Sequence, residues 1–204
     1  MEIPKDQGTQ TNSREAFGDV SLIAVSKEMD MTKSLIVILR KMLVEDKNSA
    51  LLILSSVPSE QFLLRAKEFG FDMQTYLKKG QLLLIDCITK FTHEENTPSL
   101  LREVFYASSP SDLSDISIKV SEALASKLNQ GEKWMVLDSI TTLSLYNTSG
   151  GILRFMQFLF RKLRLLNFDG TMIVVRDEAQ DSMIQSLKQY CNKLIFIAPT
   201  TVSG

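Results

Sequence analysis

Six short apolar runs recur along this sequence, and the stretches between them carry helical patterns. The runs are Ser21–Ser26, Ala50–Ser55, Leu82–Ile85, Trp134–Asp138, Met172–Arg176 and Leu194–Ala198. Most are continuous rather than alternating in polarity, which is what a strand covered on both faces requires. Strands separated by helices pair in parallel, because the helix returns the chain to the starting edge. The expected fold is a three-layer α/β domain. A mostly parallel central sheet of about six strands carries helices on both faces.

The intervening segments have readable ends. Thr32–Glu45 places Leu35, Ile38, Leu39 and Met42 on one helical face. Pro58 opens a helix running to Phe69, with Gly70 as its stop, and Asp72 caps a short helix ending at Gly80. Thr97-Pro98 starts a helix over Leu100–Ala107, and Asp112 caps a stretch reaching Leu128. From about Ile152 to Leu166 the apolar positions outnumber one stripe. Ile152, Phe155, Met156, Leu159, Leu163 and Leu166 form the stripe, while Leu153, Phe158, Phe160 and Leu165 lie off it. Leu153 and Phe160, seven apart and on one face, are expected in a protein–protein contact, with self-association the simplest form; cover by another helix of the chain is the alternative.

Bulk properties narrow the field. The 204 residues, 44% hydrophobic and 23% charged, can bury a full core and are not those of a disordered chain. One domain over 19–198, with tails at 1–18 and 199–204, accounts for the pattern. Net charge is −1, so no global field draws nucleic acid, and Arg154, Arg161, Lys162 and Arg164 on one helix read as a solvated face. Cys87 and Cys191 lack zinc or redox spacing and read as reduced thiols. His93, the only histidine, sits in a polar loop without converging ligands. No run is long enough for a bilayer, and Met1–Asp19 lacks the apolar core of a signal peptide, so a cytoplasmic protein is expected.

The chemistry, if any, belongs at the first strand–helix junction, Ser21-Leu-Ile-Ala-Val-Ser-Lys-Glu-Met-Asp-Met-Thr-Lys-Ser-Leu. A phosphate-binding loop has glycine, four residues, then Gly-Lys-[Ser/Thr], between a buried strand and a helix. Aligning Lys33-Ser34 with the terminal pair puts Lys27 and Thr32 where both glycines belong. Glycine matters there because the loop needs backbone angles that a Cβ resists, and because its N–H groups must approach phosphate closely. The same residues also read as an ordinary helix start with Thr32 as the cap. A second constellation, Trp134-Met-Val-Leu-Asp138-Ser139, ends a buried strand in a carboxylate, where phosphate-loop proteins hold Mg²⁺.

From Val20 to about Ala198 the chain resembles the RecA superfamily, and within it the KaiC-like and Rad55-type ATPases. The matching pieces are Ala50–Glu60, Arg65–Asp72, Gly80–Asp86, Asp112–Glu122, Val136–Ser139, Gly170–Val175 and Cys191–Ile197. The resemblance implies a RecA-like P-loop NTPase fold, with Ser21–Ser26 and Trp134–Asp138 as adjacent central strands. It also implies that Thr32, Lys33 and Ser34 stand where nucleotide phosphates would bind, and Asp138 where Mg²⁺ would. Besides the loop glycines, one departure is clear. Relatives carry adjacent glutamates at the end of the second strand, and this chain has Ser55-Ser56-Val57-Pro58, with Glu60 too late in register. A hydroxyl is no general base near neutral pH. The expectation is a non-catalytic regulatory or protein-interaction domain with no required cofactor. A weak ATP/Mg²⁺ site is the alternative, and a recombination-mediator-like nucleic-acid binder the second.

Overall fold

In the computed structural model the described residues are 19–92, 103–126, 128, 130–176 and 181–197. They form one seven-stranded, all-parallel sheet of order β4-β3-β2-β5-β6-β1-β7. The strands are β1 (Val20–Ser26), β2 (Ser49–Leu54), β3 (Leu82–Asp86), β4 (Val104–Tyr106), β5 (Lys133–Leu137), β6 (Asp169–Arg176) and β7 (Lys193–Ile197). All six predicted strands are present, within a few residues at each end.

Two expectations about the sheet are overturned. β1 and β5 are not neighbours, because β6 lies between them and pairs with both. The seventh strand, β4, occupies Val104–Tyr106, inside the segment predicted as a helix. Val-Phe-Tyr is a β-rich tripeptide, and its pairing with β3 supplies long-range hydrogen bonds that a local helical pattern cannot anticipate. Residues 100–102 and His93 lie outside the described residues, as do the expected tails.

Period-two alternation divides the core into two layers. Leu51, Ile53, Leu83, Ile85, Met135 and Leu137 face one side. There they meet α5 (Leu113–Ala125), α6 (Ile140–Tyr146), α7 (Ser149–Leu166) and α8 (Asp181–Lys188). Ala50, Leu52, Leu54, Leu82, Leu84 and Val136 face the other. They pack on α1 (Met31–Arg40), α2 (Ser59–Glu68) and α3 (Gln74–Lys78). A further short helix, α4 (Thr89–Thr92), follows β3. Every residue of β2 and β3 is buried, which explains their unbroken apolar sequences.

Local details refine the helix expectations. The predicted Thr32–Glu45 helix is α1 followed by a π-helical turn over Lys41–Glu45. Its cap is Asp30 rather than Thr32, since Asp30 Oδ1 accepts the Lys33 N–H at 3.0 Å. Asp112 caps α5 as expected, accepting from Asp115 N. Gly131, just before β5, has φ +53°, and a Cβ there would lie 2.5 Å from the Lys47 carbonyl oxygen. Only glycine fits that turn.

α7 corrects the interface expectation for Phe160. Its ring is 2% exposed and stacks on Tyr190, with centroids 6.2 Å apart. Leu153 is half-buried and also packs on the core. α5, α6 and α8 all contact α7 while β6 lies beneath it, so the buried arc is wider than one stripe. Leu165, at 79% exposed, is the off-stripe residue that faces water.

Candidate functional site at the carboxyl edge of the sheet

In parallel α/β sheets, ligand chemistry gathers at the carboxyl ends of the strands. Three such ends carry the polar residues singled out by the sequence: the β1–α1 turn, Ser55-Ser56 after β2, and Asp138 after β5.

The β1–α1 turn is short. Met29 N–H donates to the Ser26 carbonyl at 3.1 Å, and α1 begins two residues later. An α-helix leaves its first N–H groups unsatisfied, and this makes its N-terminus an anion site. Here an anion of the chain itself is present. Asp30 takes the Lys33 N–H with Oδ1, and its Oδ2 lies 3.0 Å from Arg65 Nη2, an ion pair reaching across from α2.

The remaining motif residues are turned to structural contacts. Ser34 Oγ donates to the Asp30 carbonyl at 2.9 Å. Lys33 Nζ lies 5.9 Å from the centroid of the Phe69 ring, within cation–π range. Thr32 is half-buried in the first turn of α1. Arg65 lies in α2 and Phe69 is the residue that ends it, both more than thirty residues away, so no local sequence signal announces them. Asp30 was legible as a possible cap three residues before Lys33.

Asp138 is 4% exposed and saturated with donors. Its Oδ1 accepts the Ser55 N–H at 2.8 Å and the Ser55 hydroxyl at 2.5 Å. Its Oδ2 accepts the Ser56 N–H at 3.0 Å and the Ser56 hydroxyl at 2.5 Å. Burial pushes this carboxyl above its usual range, and the four donors pull against that shift. Because β2 and β5 are hydrogen-bonded neighbours, the network closes the gap between their carboxyl ends. The next residue, Ser139, caps α6 by accepting from Thr142 N at 3.0 Å.

Asp86, at the end of β3, repeats the pattern, which the sequence reading missed. It accepts from Ser59 N, Ile88 N and Thr89 N at 2.7–2.8 Å and from Thr89 Oγ1 at 2.6 Å. It therefore ties the start of α2 to the turn after β3.

A triphosphate with Mg²⁺ fits this constellation poorly. Its phosphates would meet the Asp30 carboxylate at the helix end, and like charges in one site repel. Its metal would have to displace serine donors from a buried Asp138. Among the described residues, no group of three or more His, Cys, Asp and Glu side chains could hold a metal ion. None of their helices is long and apolar enough to cross a membrane.

Comparison with solved structures identifies the same architecture elsewhere. The crystal structure of the KaiC-like protein PH0186 from Pyrococcus horikoshii OT3 superposes with a TM-score of 0.66 at 15% identity, over 89% of this chain and 73% of that one. That of PH0321 from Pyrococcus horikoshii, solved in complex with an unknown peptide, gives 0.67 at 15% identity, over 88% and 77%. At such identity the likeness establishes the fold, a RecA-type P-loop domain. No curated protein matches the chain. In sequence, residues 13–198 match the family described as "ATPase: KaiC", and by that match the chain belongs to the KaiC ATPase family.

Proposed function

We propose that this chain is a non-catalytic member of its family, acting as a regulatory or protein-interaction domain. The observation that carries this reading is the Ser55-Ser56 clamp on Asp138. The two serines stand where the resemblance places the glutamates that activate water. They also consume the carboxylate that would serve Mg²⁺. The same pair of serines thus replaces a base and occupies a metal ligand. Fold and activity are separable, and a P-loop fold can persist as a binding scaffold.

Partner binding is the positive half of the reading. PH0321 was crystallised with a peptide, a precedent within the same fold for peptide contact. The unpaired thiols of Cys87 and Cys191 agree with a reducing compartment such as the cytoplasm.

Calorimetry with Mg²⁺–ATP, together with turnover by wild type and Lys33→Ala, tests the proposal. The expected result is no heat of binding and no turnover above background. Turnover that disappears in Lys33→Ala would overturn it.

A second reading, a residual nucleotide site, keeps one observation in its favour: Lys33 and Ser34 are at the start of a helix following a buried strand. In that reading ATP binds only after Asp30 is displaced.

A further inference from the structure

We propose that the outward face of α7 is a docking site for an acidic amphipathic helix of a protein partner. This rests on the partner-binding reading above and names the partner's chemistry.

Arg154, Gln157, Phe158, Arg161, Lys162 and Leu165 follow one another at helical spacings of three and one, so all six share a face. Between them lies a shallow groove of about 330 Å³. On the opposite face of α7, Ile152, Phe155, Met156, Leu159 and Leu163 are buried in the core, and only Leu166 at the helix end is exposed. On the groove face Phe158 rests against the edge of the core and Gln157 donates to the Tyr190 hydroxyl at 2.8 Å, while Arg154, Arg161 and Leu165 are exposed.

Its chemistry is two-fold. Leu165 is 79% exposed, and the Phe158 ring is half-buried beneath Lys162, whose Nζ stands 5.7 Å from its centroid. Around these apolar anchors lie Arg154, Arg161 and Lys162. Among the described residues no carboxylate forms an ion pair with any of the three. Arg164, nearby, is held by the Tyr190 carbonyl at 3.1 Å. Ser149–Leu166 contains no acidic residue, in a chain whose net charge is −1. Positive charge is thus concentrated here against the balance of the whole molecule.

A partner that buries Phe158 and Leu165 must also neutralise the flanking cations, which calls for apolar side chains bordered by Asp and Glu. Apolar anchors set seven residues apart along a straight helix match a helical ligand laid along the groove. Two apolar side chains among three cations bury too little area to anchor a bilayer. One lysine-covered ring and an exposed leucine are no stacking track for a nucleic acid.

The test is fluorescence anisotropy of the full chain with labelled peptides of about 18 residues, the length of α7. The panel has acidic amphipathic peptides with Leu and Phe at helical spacing, the same peptides with Lys in place of Glu, and acidic scrambled peptides. Phosphatidylglycerol vesicles and oligothymidine complete the set. The expected result is saturable binding of the acidic amphipathic peptides alone, lowered roughly tenfold by Arg154→Glu/Arg161→Glu and lowered by Leu165→Ser. These positions are at the surface, and circular dichroism checks that the variants fold. No binding across the panel, equal binding of scrambled peptides, indifference to the double variant, or preference for vesicles or oligothymidine would each overturn the proposal. If nucleotide binding is also absent, the pseudo-ATPase reading survives that failure. If Lys33-dependent turnover appears, that reading fails whatever the peptides do.

Discussion

Asp138 and Ser55 meet across the carboxyl ends of β5 and β2, the carboxylate accepting both the backbone N–H and the hydroxyl of the serine, at 2.8 and 2.5 Å. The carboxylate that the resemblance places at a metal site joins the ends of two strands in this structure, and the energetics of that clamp can be measured.

Ser55→Ala removes a hydroxyl from a buried carboxylate and leaves that acceptor short of a donor. Hydrogen bonds to charged groups contribute about 1.5–3 kcal/mol, and a loss in that range is expected. Ser56→Ala should cost less, since Ser56 is more exposed. Urea denaturation at unchanged m-value checks both.

The same carboxyl imposes a pH dependence. Burial raises its value in the folded protein above the ordinary 3.8, so the folded state holds this proton more tightly than the unfolded state. The stabilisation is fully present below the ordinary value and is lost as pH rises through the raised one. The stability of wild type relative to Asp138→Asn should therefore fall as pH increases from about 4 through that window and level off above it. Denaturation midpoints of the two proteins across pH give the comparison. A difference that grows with pH would contradict the assignment.

At the β1–α1 turn, Asp30→Ala should cost about 1 kcal/mol, the usual value of a helix cap. Arg65→Ala should cost less, because its side chain is 51% exposed and water screens the pair. Thermal melts of the two variants should rank them in that order.

Gly131→Ala combines a positive φ with a 2.5 Å approach to the Lys47 carbonyl oxygen. Strain of this kind costs on the order of 1–3 kcal/mol. Gly70, with φ +73° but nothing within 4 Å of a built Cβ, serves as the control and should lose less on substitution by Ala.

Phe160→Ala and Leu165→Ala should separate the two kinds of apolar residue on α7. The first removes a ring 2% exposed and should destabilise by about 3–5 kcal/mol. The second, at 79% exposure, should change stability by less than about 0.5 kcal/mol. Denaturant midpoints decide between this division and a shared interface role.

Much of this architecture is written locally. The runs Ala50-Leu-Leu-Ile-Leu and Leu82-Leu-Leu-Ile carry no polar alternation, so each had to be a strand covered on both sides, and both are fully buried. Asp112 announced its helix because a cap acts over three residues. Lys27, Thr32, Ser55 and Ser56 are the residues on which the proposed loss of phosphate-loop chemistry rests, and they are read from residue type alone. What the sequence left open depended on partners distant along the chain. The place of β6 between β1 and β5 is a choice of neighbours among strands more than thirty residues apart. The strand at Val104–Tyr106 exists because β3 offers it an edge. The pairing of Asp30 with Arg65, the donation of Ser55 and Ser56 to Asp138, and the burial of Phe160 against Tyr190 all join separate elements. Periodicity and caps are set by forces acting within a few residues, whereas strand order and side-chain partners follow from how whole layers pack, and only the folded structure brings those layers together.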